Sequence, residues 1–102
     1  MFKQLDAIVL TTEIPLDHIW DVPPGSPLLE NGSPKGGLQA GDVGTIVYIQ
    51  GDGEAFEVEF LKLDGYTVAI ATVLPSQARL ATEEDRANYR FGKKSSAHIP
   101  AS

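Results

Sequence analysis

The sequence predicts an all-β fold, a small barrel of about five short antiparallel strands. Three observations carry this reading. Short runs of β-branched and aromatic residues recur along the chain, and the clearest of them alternates strictly between apolar and acidic residues. Asp-Gly pairs separate the later runs at hairpin spacing. A single long proline- and glycine-rich segment follows the first run. A meander of such short strands curls to hide its edges.

Asp6 to Thr12 reads as the first strand, with Ile8, Val9 and Leu10 at its centre and Pro15 ending it. Residues 13–41 have another texture. Five of the seven prolines lie there (Pro15, Pro23, Pro24, Pro27 and Pro34), with Gly25, Gly32, Gly36, Gly37 and Gly41. Proline has no backbone donor, so regular sheet pairing is not expected in this segment. Yet it also carries Ile14, Leu16, Ile19, Trp20, Val22, Leu28 and Leu29. A solvated linker has no use for these, so the segment reads as a long ordered loop that packs on its own barrel or on another chain.

Val43 to Gln50 is the second strand, with Val43, Thr45, Val47 and Ile49 expected on one face. Gly51-Asp52-Gly53 makes the turn. Ala55 to Leu61 follows, with Phe56, Val58 and Phe60 facing the core and Glu57 and Glu59 facing out. Asp64-Gly65 is the next turn, and Tyr66 to Leu74 the next strand, ending at Pro75. Ser76 to Leu80 reads as one helical turn and a short closing strand, Ala78 to Leu80. The chain thus divides into a barrel over 1–81, with the loop 13–41 inserted, and a segment 82–102. In the latter, Thr82-Glu83-Glu84-Asp85 resembles a capped helix start, and a short helix is expected from about Glu83 to Arg90. After Gly92 the residues are small and polar, and a flexible tail is expected.

The 102 residues fit one domain. No apolar run approaches the roughly 20 residues a membrane helix needs. Ala7 to Leu10 is too short for a signal peptide, so a cytoplasmic location is expected. The absence of cysteine excludes disulfides, thiolate metal sites and cysteine nucleophiles. Charge is uneven: residues 1–81 hold four cations against eleven acids, net −7, and residues 82–102 are net +1. An acidic body opposes phosphate binding and suits a solvated surface or a basic partner.

The run Leu38-Gln39-Ala40-Gly41-Asp42-Val43-Gly44-Thr45-Ile46-Val47 resembles an opening found in SH3-like barrels, where Gly-Asp-x-Gly turns the chain into the second strand. Together with Asp6-Ala7-Ile8-Val9-Leu10, Phe56-Glu57-Val58-Glu59-Phe60, Asp64-Gly65 and Ala69 to Leu74 before Pro75, it is similar to a family of small bacterial domains of unknown function. The likeness covers residues 5–12 and 38–80. It implies an SH3-like barrel and a non-catalytic accessory role, in proteins some of which travel on mobile elements. Residues 16–37 and the chain after Thr82 depart from that pattern.

Candidate chemistry is sparse. Asp17, His18 and Asp21 are metal-ligand types, but a proline-rich loop does not impose the helical spacing that would gather them, and the other histidine, His98, lies in the tail. No metal or cofactor is expected. No nucleophile turn or phosphate loop occurs. Glu57 and Glu59 stand about 6–7 Å apart by strand rise, within the range of a glycosidase pair, yet a wet acidic sheet face explains them as well. Pro24-Gly25-Ser26-Pro27 has the spacing of a polyproline ligand without a flanking arginine and reads as a stiff loop. Trp20, the sole tryptophan, either caps an open end of the barrel or contacts a partner, and both placements stay open.

Binding rather than catalysis is therefore expected, to another protein or to a second copy. Ile19, Trp20, Leu28 and Leu29 would supply the apolar anchor, and Glu57 and Glu59 the steering charge. Two alternatives remain. One is an acidic antitoxin- or immunity-like partner of a neighbouring protein. The other is a nucleic-acid-binding barrel of the ribosome-associated type, which the acidic body disfavours.

Overall fold

The computed structural model describes residues 2–30, 33–34 and 36–92. Among these residues eight strands form: β1 (Ala7–Leu10), β2 (Ile19–Asp21), β3 (Leu29–Glu30), β4 (Ser33–Pro34), β5 (Val43–Gln50), β6 (Ala55–Leu61), β7 (Thr67–Val73) and β8 (Ala78–Leu80). A short helix, α1 (Glu83–Asn88), follows. The main antiparallel sheet has the order β2-β7-β6-β5-β1-β8, and β3 and β4 pair apart as a short hairpin. Five of the six main strands are those expected from the sequence, and together the six make an open antiparallel sheet, a small all-β, barrel-like domain.

Alternation builds the core. Phe56, Val58 and Phe60 of β6 are buried, and they pair in register with Val73, Ala71 and Ala69 of β7. Across β5 the partners of Phe60, Val58 and Phe56 are Gly44, Ile46 and Ile49. Ile8 and Leu10 of β1 complete the layer. A 3-10 turn over Pro75–Gln77 leads into β8, at the place where a helical turn was expected.

Two expectations are corrected. The face assigned to β5 was Val43, Thr45, Val47 and Ile49, but Ile46 is fully buried and Val47 is half exposed. The ladder to β6 shifts by one residue between Ile46 and Tyr48. This bulge hands the inward position from Ile46 to Ile49, and period-2 reading cannot anticipate an inserted residue.

The loop 13–41 was expected not to pair regularly, yet it contributes a strand to the main sheet. β2 pairs with β7 through Ile19↔Ala71 and Asp21↔Ile70. The prolines flank this strand instead of interrupting it: a 3-10 turn over Leu16–His18 follows Pro15, and Pro23 comes after Asp21.

The base of the loop is pinched by a reciprocal pair, Ile14 N to Leu38 O (2.9 Å) and Leu38 N to Ile14 O (3.0 Å). Ile14, Leu28 and Leu38 sit in the core cluster. Ser26 fastens the far end. Its hydroxyl is buried, donates to the Val68 carbonyl at 2.6 Å and accepts from Leu28 N at 3.1 Å. Pro24-Gly25 is therefore a turn, with Gly25 at φ 84°, and not a polyproline helix. Replacing Ser26 by alanine strands a buried carbonyl, and thermal unfolding should report a loss of about 1–2 kcal/mol.

Segment 82–92 is fastened to the barrel. Thr82 caps α1 by accepting from Asp85 N at 3.1 Å, and the Asp85 carboxylate accepts from Thr82 N at 2.8 Å. After the helix, Phe91 O accepts from Leu63 N at 2.9 Å. The tail expected to be flexible, with His98, lies outside the described residues from 93 onward.

Candidate functional site

The outer face of the sheet brings together residues from four strands. Glu57 and Glu59 project from β6 on the side opposite the phenylalanines, both half-buried. Tyr48 lies directly across from Glu57 on β5, and Thr72 directly across on β7. Trp20 arrives from β2 by way of a bulge: two residues, Trp20 and Asp21, follow Ile19 while β7 moves only from Ala71 to Ile70. Such an extra residue re-aims its side chain. Here the indole reaches across β7 and donates from Nε1 to Glu57 Oε1 at 2.7 Å.

Glu57 is the hub of this face. Besides Trp20, its carboxylate accepts from Gln50 Nε2 and from Thr72 Oγ1 (3.0 Å). Donors from β2, β5 and β7 therefore hold one carboxylate of β6 in a single orientation. Glu59 accepts from Thr67 Oγ1 at 2.5 Å. None of these donors carries charge. Among the described residues, the ion pairs are Lys62–Asp64, Arg79–Asp85 and Arg90–Asp42, and none involves Glu57, Glu59 or Asp21. Among the described residues, no cation pairs with the carboxylates of this face.

The four apolar residues singled out from the sequence separate. Leu28 is 2% exposed and belongs to the core. Ile19 packs half-buried against that core, and Leu29 is half-buried in the β3–β4 hairpin. Trp20 alone stands out, at 61% exposure. It neither fills the barrel's end nor swings free, because its ring nitrogen is bound to Glu57. Tyr48, 58% exposed, is its counterpart on the other side of Glu57. Placing Tyr48 and Gln50 outward was possible from β5 alternation. Their meeting with Glu57 needed the strand register, which the sequence does not display.

Asp17, His18 and Asp21 do not converge. The segment splits between a 3-10 turn and β2, and among the described residues no three His, Asp or Glu side chains are grouped to hold a metal ion.

A second polar centre was missed. Asp42, only 2% exposed, accepts from Gln39 N at 2.8 Å and takes both arms of Arg90: Nε to Oδ1 at 2.8 Å and a terminal nitrogen to Oδ2 at 2.8 Å. Arg90 also donates to Gly37 O at 3.1 Å, and its guanidinium lies 4.4 Å from the Phe91 ring centroid. The Gly-Asp-x-Gly run is thereby accounted for. Gly41 takes φ 96°, Asp42 binds the C-terminal segment, and Gly44 lies under Val58 and Phe60. An aspartate at the turn into β5, beside Gly41, was the available signal, but its partner is 48 residues away.

A family model described as a domain of unknown function, DUF4926, matches residues 4–80. The chain belongs to this family. Comparison with curated proteins finds no match, and comparison with solved structures finds none either. The DUF4926 match takes in the barrel, the inserted loop and the outer face, Trp20 included. It stops before α1, so Arg90, which neutralises Asp42 of the DUF4926 barrel, lies beyond the matched residues.

The clasp at the start of α1 gives a pH-dependent signal. Arg79 sits against the Asp85 carboxylate at 2.7 Å, and together with the Thr82 N–H it holds Asp85 well below the usual carboxylate range. A carboxylate lowered in the folded state stabilises fully above its unfolded value, about 3.9, and loses that contribution as pH falls toward the folded one. The Thr82 and Asp85 amide resonances should stay fixed from neutral pH to about 4 and move only below it. In Arg79→Ala that movement should begin at higher pH.

Proposed function

We propose that this protein is a non-catalytic accessory module that works by docking another protein on the outer face of its sheet. The single observation that carries this reading is the placement of Trp20. A large aromatic side chain is held by a hydrogen bond from a bulged strand onto the sheet surface, with most of its area left to solvent. Folding alone gains little from such an arrangement, whereas a rigid, largely exposed aromatic is the kind of group that anchors interfaces. The fixed acidic residues around it favour a basic partner and faster encounter.

The same residues argue for binding over chemistry. Glu57 and Glu59 have the separation of a carboxylate pair, but they lie on an open sheet face with their oxygens engaged by Trp20, Gln50, Thr72 and Thr67.

The test is Trp20→Ala. Losing one exposed hydrogen bond should cost about 1 kcal/mol or less, so the barrel stays folded. Association, read by light scattering for self-contact and by capture from the native host for a foreign partner, should fall at least tenfold. Unchanged association in both assays refutes the reading.

A further inference from the structure

On the reading above that this face docks a protein, we propose that it recognises an arginine side chain within an extended segment of the partner, seated between Trp20 and Tyr48 and paired with Glu57 and Glu59. Four features converge on this ligand. The first is fixed charge. Glu57 is oriented by donors from three strands, so no rotamer freedom is lost when a cation arrives, and those donors are neutral.

The second is acceptor capacity. An ionised carboxylate offers about four lone-pair sites. Trp20, Gln50 and Thr72 occupy about three on Glu57, whereas Thr67 alone bonds Glu59 in the described structure. A guanidinium has five donors in a planar fork and suits two neighbouring carboxylates with sites to fill. The third is the pair of exposed rings on opposite sides of Glu57. Aromatic faces attract cations, and a planar guanidinium stacks on them more readily than an ammonium does.

The fourth is extent. From Trp20 on β2 to Tyr48 on β5 the face crosses three strand intervals, about 14 Å at the usual interstrand spacing. The indole itself covers the β7 part of that span by reaching Glu57 on β6, and the strip from β6 to β5 beside it lies open to an extended segment that brings in an arginine. The net −7 of residues 1–81 complements a basic segment. The chain already uses the same chemistry within itself, where Arg90 forks onto Asp42 and stacks against Phe91.

Trp20 is the sole tryptophan, so its fluorescence reports on this face alone. The full chain would be titrated with two synthetic heptapeptides of glycine and serine, one with a central arginine and one with citrulline, its neutral analogue. The arginine peptide should change Trp20 emission saturably, with affinity weakening as salt rises. The citrulline peptide should bind at least tenfold more weakly. The Glu57→Gln/Glu59→Gln variant, which removes both charges and leaves one acceptor oxygen on each side chain, should lose the arginine response at least tenfold while remaining cooperatively folded, with a melting point lowered by no more than a few degrees.

Equal responses to both peptides, or none to either, overturn the assignment. Host capture separates the two levels of inference. A partner lost in Trp20→Ala but unaffected by the Gln/Gln variant and by competing arginine peptide refutes arginine recognition and leaves docking intact. A partner indifferent to all three refutes both.

Discussion

Arg90→Ala is expected to lower folding stability by about 3 kcal/mol, which for a domain of this size means a melting point lower by roughly 10–20 °C. The reason is asymmetry. Asp42 is almost fully buried, and Arg90 supplies both nitrogens that neutralise it. Removing the cation leaves an uncompensated charge in a site held closed by Gln39 and Gly41. Removing both partners should cost less than the sum of the single changes, because no orphaned charge then remains. A chain ending after residue 81 removes the same cation and should be destabilised at least as much, although the family match ends at residue 80. Thermal or urea unfolding of the single and double variants measures this. A melting point within about 2 °C of the parent for Arg90→Ala would show that Asp42 needs no arginine to offset its burial.

Gly44→Val should have an effect of similar size, about 3 kcal/mol, by overpacking. A Cβ at Gly44 would stand 2.6 Å from Val58 Cγ1, 2.9 Å from Phe60 Cδ2 and 3.0 Å from the Glu59 carbonyl oxygen. The last of these is backbone in the middle of β6 and cannot rotate away. Gly44 also pairs with β1 through Ile8 and with β6 through Phe60, so any displacement is felt on both sides of β5. Gly41→Ala is the contrast. Nothing lies within 4 Å of its Cβ position, and the cost comes from φ 96° alone, about 1 kcal/mol. Urea midpoints should rank Gly44→Val well below Gly41→Ala. The reverse order would mean that β5 lies farther from β6 than these distances indicate.

Local rules made much of the barrel legible. Alternation in Phe56-Glu57-Val58-Glu59-Phe60 placed the inner and outer faces of β6 correctly, because its pairing with β7 is continuous from Phe56 to Phe60 and the extra residue in the ladder with β5 lies on β5. The glycines of the two turns take positive φ, as hairpins demand, at Gly51, Gly53 and Gly65. Thr82 caps α1 because its oxygen and the Asp85 amide are three residues apart, a distance within reach of local reasoning. Misreadings arose where one inserted residue shifted a register, at Val47 in β5, or where a short strand drew its pairing from a distant partner, as β2 does from β7.

What the sequence alone determined is the class of fold, the acidic outer face and the singular standing of Trp20, since these follow from residue type and from periods two to four residues long. Tertiary structure decided that Leu28 is core and Trp20 is surface, that Glu57 gathers donors from three other strands, and that Asp42 meets Arg90. Each of those is a contact between residues far apart in the chain. Its geometry depends on strand order and bulges, and no local propensity encodes either.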